Sequence, residues 1–98
     1  MKTLSMEGGP FGIRANAIAP GCVEGARIDG VIEREAIKKN TTPDIIREAY
    51  KSGTSLKTFV KAEDIASMAL FLASDQASRI SGQVIAVDGH TENPDPKI

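Results

Sequence analysis

An α/β fold with a parallel sheet is what the sequence predicts, and three observations carry it. Residues 13–19 alternate apolar and polar, residues 83–87 form a β-branched run, and three helical apolar patterns lie between them. Strands separated by helical crossovers pair in parallel. Two parallel strands of this length do not hold a sheet by themselves, because parallel sheets are covered on both faces and contain more strands. The pattern therefore predicts one part of a larger sheet.

Residues 3–7 read as the last turns of a helix with Leu4 on its apolar side. Gly8-Gly9-Pro10 closes it, since glycine suits a left-handed cap and proline cannot continue the helix. A helix already in its final turns at residue 1 suggests a chain that enters part-way through an element. Ile13, Ala15, Ala17 and Ala19 then alternate with Arg14, Asn16 and Ile18 up to Pro20-Gly21, which predicts a strand over 13–19. Ile28, Val31, Ile32 and Ala36 share one side of a helix that Asn40 closes. In Thr42-Pro43-Asp44 the threonine caps the next helix, the proline takes its first position and the aspartate suits its positive end. Ile45, Ile46, Ala49 and Tyr50 form its apolar side and Gly53 ends it. A third helix opens at Ala62-Glu63-Asp64. Ile65, Met68, Ala69 and Leu72 make its stripe, widened by Leu70 and Phe71, so burial on more than one side is expected before it ends near Ser74-Asp75. Ser81-Gly82 turns the chain into 83–87, read as a strand buried on both faces and stopped by Asp88-Gly89. Residues 91–98, polar and carrying Pro94 and Pro96, read as a flexible tail.

Composition narrows the function classes. The chain has 98 residues, a net charge of -1, 41% apolar and 26% charged residues, which describes one globular piece and excludes a disordered tail. No apolar run approaches the roughly 20 residues of a membrane-spanning helix. Lys38-Lys39 is the only adjacent basic pair, so nucleic acid is not an expected partner. The single cysteine, Cys22, and the single histidine, His90, build neither an internal disulfide nor a zinc site. A reducing, cytoplasmic setting is the expectation, and residues 1–7 lack the apolar core of a signal peptide.

The candidate site is the exit of the first strand, because ligands of open parallel sheets lie beyond the carboxyl ends of the strands. There Gly21 would let a flat ring approach the backbone and Pro20 would fix the turn, although an ordinary strand can also end in Pro-Gly. Gly21, Gly25 and Gly30 fit neither of the usual phosphate-loop spacings. Arg27, in the same loop, suits a phosphate or carboxylate or is simply a solvated charge. Cys22 becomes a nucleophile only if the fold brings His90 to it; a small buried thiol is the plainer reading. His90 leaves the far strand on the same rim. Glu63 and Asp64 are accounted for as helix-start carboxylates. Tyr50 is the only tyrosine, and Thr54 stands four residues after it.

Three ordered blocks then carry a resemblance. Residues 9–21, GPFGIRANAIAPG, resemble the segment that follows the catalytic helix of short-chain dehydrogenases/reductases. Residues 62–74, with AEDIA and ALFLAS, look like that family's last main helix, and residues 81–89, SGQVIAVDG, like its last strand. The match covers about nine-tenths of the chain, and the spacing among the blocks agrees with the family.

The resemblance implies the carboxyl-terminal part of a Rossmann-type, doubly wound parallel sheet, with its last two strands and intervening helices. Residues 1–90 would belong to one such domain, with substrate-lid-like helices over 26–58. It implies hydride transfer between NAD or NADP and an alcohol or carbonyl substrate, and a homo-oligomer built through the last helix and strand. The family's Gly-rich dinucleotide loop and its Tyr-x-x-x-Lys pair do not occur in the sequence. The reading is therefore of a fragment, without catalytic or metal residues and inactive alone. Pro20, Gly21, Cys22 and Val23 match the stretch that wraps the nicotinamide, with the backbone near Val23 expected at its carboxamide. Where the family often has a cofactor-holding Thr, this chain has Gly25. The alternative expectation is a non-catalytic interaction or oligomerisation module, or a truncated relic.

Overall fold

The computed structural model describes residues 1–93. Helix α1 (Lys2–Gly8) passes through a 3-10 turn (Gly9–Phe11) to strand β1 (Ala17–Pro20). Three helices follow, α2 (Ala26–Lys38), α3 (Pro43–Ser52) and α4 (Ala62–Ala73), then a second 3-10 turn (Asp75–Ala77) and strand β2 (Val84–Val87). The strands pair in parallel with Ala17 opposite Val84 and Pro20 opposite Val87. The expected α/β order and strand direction are both present.

Local chemistry explains where the boundaries moved. β1 starts at Ala17 rather than 13, because the residues before it meet the approach of β2 mainly through side chains, with one backbone bond from the Gly82 N–H to Ala15 O at 2.7 Å. The Ala15 N–H donates to Ser81 Oγ and the Asn16 amide donates to Ile80 O, while Asn16 Oδ1 accepts the Gln83 N–H. The left-handed cap is Gly12 (φ 75°) and not Gly8-Gly9, since Gly9 keeps a right-handed helical backbone and Pro10 continues into the 3-10 turn. The start of α3 is as the sequence suggests: Thr42 Oγ1 accepts the Ile45 N–H and Pro43 takes the first turn. At α4 the Asp64 carboxylate accepts the Lys61 N–H at 2.8 Å.

The core sits in the α2–α3 hairpin and not around the sheet. Ile32 and Ile46 are 0% exposed and join Ala36 and Phe59 in one cluster, against which Cys22, Ile28 and Tyr50 pack. Arg47 and Lys51 lie 5.7 and 5.6 Å from the Phe59 ring centroid, on the ring that closes this core. Two sequence expectations are overturned. No residue of α4 is buried, with Leu70 74% exposed, and β2 is not buried on both faces, with Val84 63% exposed. Apolar patterning shows which residues favour burial and is silent on what covers them; among the described residues α4 meets chiefly β1 and the 3-10 turn that follows α4. The radius of gyration, 17.0 Å, accordingly exceeds the roughly 13 Å of a compact chain of this length.

The segment after β2 is held at its start. The Glu92 and Asn93 N–H groups donate to Gly53 O, and Thr91 bridges to Thr54. The rest of the expected tail, residues 94–98, lies outside the described residues.

Candidate functional site

β1 delivers Pro20 to the sheet's carboxyl edge, and the next residues turn under the start of α2. The Gly21 N–H donates to Val87 O at 3.0 Å, prolonging the pairing of the two strands. Beyond it the chain pairs with a segment that sequence patterning left unassigned. Val23 forms a parallel bridge with Val60; the Val60 N–H donates to Cys22 O at 3.0 Å and Val60 O accepts the Glu24 N–H at 2.8 Å. Phe59-Val60 is too short to show a period, although its aromatic and β-branched types were the available signal.

Gly25 then breaks the extended run with φ 147° and its carbonyl accepts the Asp29 N–H, the first bond of α2. A Cβ there would meet nothing within 4 Å, so conformation and not crowding calls for glycine. Gly21 is the opposite case. A Cβ would lie 2.7 Å from Asp88 Cβ and 2.8 Å from Asp88 Cα. Gly21 thus allows a close approach of the neighbouring strand's exit.

Pro20, Gly21, Cys22, Val23 and Gly25 line one cavity of about 560 Å³, walled by Ile28 and Val31 of α2, with Glu24 and Arg27 at its polar side. The lining is mostly apolar with few polar groups, the usual character of a small-molecule site. Arg27 is exposed and lines this cavity. His90 lies elsewhere, with Asp88, Phe59 and Val60 around a second cavity of about 640 Å³. Its backbone N–H donates to Asp88 Oδ1 at 2.8 Å. The structure thus does not bring Cys22 and His90 together as a nucleophile pair.

Burial pushes the Cys22 thiol above its ordinary value of 9.0, because the thiolate loses solvation against the apolar cluster. A raised folded-state value favours the fold fully below the ordinary value, and that advantage is lost as pH rises through the folded value. Stability is therefore expected to fall above pH 9, and Cys22→Ala to flatten this alkaline limb, as read by circular dichroism in urea. Alkylation by iodoacetamide near pH 8 is expected to be several-fold slower in the folded chain than in urea. Equal rates would contradict the burial.

Among the described residues no group of three or more His, Cys, Asp or Glu can hold a metal ion, and no helix is long and apolar enough to cross a membrane.

Comparison with known proteins places this geometry. The family profile described as enoyl-(acyl carrier protein) reductase matches residues 1–90. A 3-oxoacyl-(acyl-carrier-protein) reductase of Rickettsia felis is 40% identical over 88 residues, covering 90% of this chain and 32% of that protein. The crystal structure of a short-chain dehydrogenase family protein from Francisella tularensis superposes with a TM-score of 0.83 at 25% identity, over 90% of this chain and 36% of that one. A 4-hydroxyisoleucine dehydrogenase solved with NADH superposes with a TM-score of 0.64 at 31% identity, over 91% of this chain and 31% of that one. The chain spans between 13% and 34% of the length of the curated relatives it matches.

Proposed function

Because the chain belongs to the short-chain dehydrogenase/reductase family, we propose that it forms the nicotinamide-side wall and substrate lid of an NAD(P)-dependent oxidoreductase acting on a small alcohol or carbonyl substrate. The observation that carries this reading is the convergence of Pro20, Gly21, Cys22, Val23 and Gly25 on one cavity beneath α2, at the carboxyl end of β1. The NADH complex of a structural relative supports the cofactor class. The residues fit a flat, partly apolar ring. Val23 and Ile28 offer apolar walls, and the absence of a side chain at Gly25 leaves open space at the mouth.

When bound, the nicotinamide supplies or accepts the hydride. This chain's part is to bind and orient. The backbone at Val23, which lines the cavity, is fixed by its pairing with Val60. Ile28 and Val31 exclude water from one side. Cys22, held protonated by burial, adds no charge there. The family's Tyr-x-x-x-Lys pair does not occur in the sequence, so no turnover is expected from the 98 residues alone. The lone thiol fits a reducing cytoplasm.

The test is ligand-observed NMR of NADH with the 98-residue chain. Saturation transfer to the nicotinamide ring protons is expected, and Val23→Trp, which fills the cavity, should remove it. Transfer that persists in V23W, or oxidation of any alcohol by the chain, overturns the reading.

A second reading, favoured by the exposure of Met6 (77%), Phe11 (81%) and Leu70 (74%), is an interaction module that assembles with further copies. Light scattering decides it: a dimer or larger species is expected, and a monodisperse folded monomer removes it.

A further inference from the structure

The two ends of the α2–α3 hairpin are fastened by different means. At the far end, Gly53 O accepts two N–H groups, from Glu92 at 2.7 Å and Asn93 at 3.0 Å. Beside it Thr54 bridges Thr91, the Ser55 N–H donates to His90 O at 2.8 Å and the Leu56 N–H to Gly89 O at 3.0 Å. The contact is so close that a Cβ on residue 53 would fall 2.1 Å from Asn93 O, although Gly53 has an ordinary right-handed backbone (φ -76°). Its glycine serves contact and not conformation. At the near end, Gly25 is exposed, its φ is 147°, and no atom lies within 4 Å of where a Cβ would stand. An anchored end and an unencumbered one thus bracket a helical pair whose core, Ile32, Ala36 and Ile46 with Phe59 of the following segment, makes it a stiff unit.

We propose that Gly53 and residues 91–93 form a clasp that holds the α2–α3 hairpin against the 560 Å³ cavity, and that the hairpin swings about Gly25 when the clasp opens. The clasp makes access to the cavity depend on the chain that leaves β2, a segment that does not line that cavity. This deepens the lid reading above and rests on it. The measurements need no cofactor, so failure of the clasp is separable from failure of nicotinamide binding.

Amide exchange of the 98-residue chain, followed by NMR, tests it. Gly53→Ala forces residue 93 away. Exchange at Glu92, Asn93, Ser55 and Leu56 is expected to rise roughly tenfold or more, while Ala36 of α2 and Tyr50 of α3 keep their protection. Glu92→Pro deletes one of the two donors without crowding residue 53 and should give the same rise at the remaining reporters, Asn93, Ser55 and Leu56; it decides the matter if G53A loses protection throughout. Relaxation dispersion reads the hinge, with exchange broadening expected at Gly25 and Ala26 once the clasp is released. Equal acceleration at Ala36 and Tyr50 in both variants, unchanged exchange at Glu92, or a Glu92 amide unprotected in the parent chain overturns the clasp. Sharp signals at Gly25 and Ala26 in both variants overturn the hinge.

Discussion

Gly21→Ala is expected to destabilise the chain by about 3 kcal/mol, with much of the parallel pairing lost at its carboxyl end. The added methyl would stand 2.7 Å from Asp88 Cβ and 2.8 Å from Asp88 Cα. One of these atoms is backbone, so no rotamer change relieves the overlap and the strand exits must separate. Separation breaks the Gly21 N–H bond to Val87 O, leaving both groups to find water. It also displaces Cys22 and Val23 from the cavity they line, so the nicotinamide binding proposed above is expected to weaken together with stability. Urea unfolding followed by circular dichroism measures the first effect. A shift below about 1 kcal/mol would mean that the β1 and β2 exits are not packed this closely.

Ile46→Ala is expected to cost about 3–4 kcal/mol, the range for emptying a fully buried aliphatic position. Ile46 is 0% exposed and meets Ile32, also 0% exposed, across the α2–α3 seam. The described core is small, so the loss is a large fraction of any marginal stability and the hairpin is expected to loosen as a unit. Ile45, next to it and 51% exposed, supplies the control: Ile45→Ala should change the urea midpoint little. Equal effects at the two positions would refute the assignment of the buried face.

What the sequence made legible follows from signals that act over a few residues. Thr42-Pro43-Asp44 announces the start of α3 because capping is decided by the side chain at the cap itself, and the structure has Thr42 Oγ1 accepting the Ile45 N–H. The parallel order of β1 and β2 was legible because helical crossovers leave the chain little alternative. Pro20, Gly21, Cys22, Val23 and Gly25 stand out in the sequence as a strand's exit, and in the fold they line one cavity, whose α2 wall of Ile28 and Val31 the sequence shows only as a helix face. Val60 was not legible, since its partner Val23 is 37 positions away and two residues carry no period.

By itself, then, the sequence determined the helices, the strand direction and the family, each of which is written in local patterns or in ordered blocks. Tertiary structure alone decided which apolar residues are covered and why particular glycines are there. Leu70 and Ile46 are equally apolar in sequence, yet one is 74% exposed and the other 0%, because burial depends on the neighbour across the contact. In the sequence Gly21 reads as part of a strand stop and Gly53 as the end of a helix. In the fold they are points where backbone meets backbone at Asp88 and Asn93, a requirement set by the partner strand and not by the glycine's own φ and ψ.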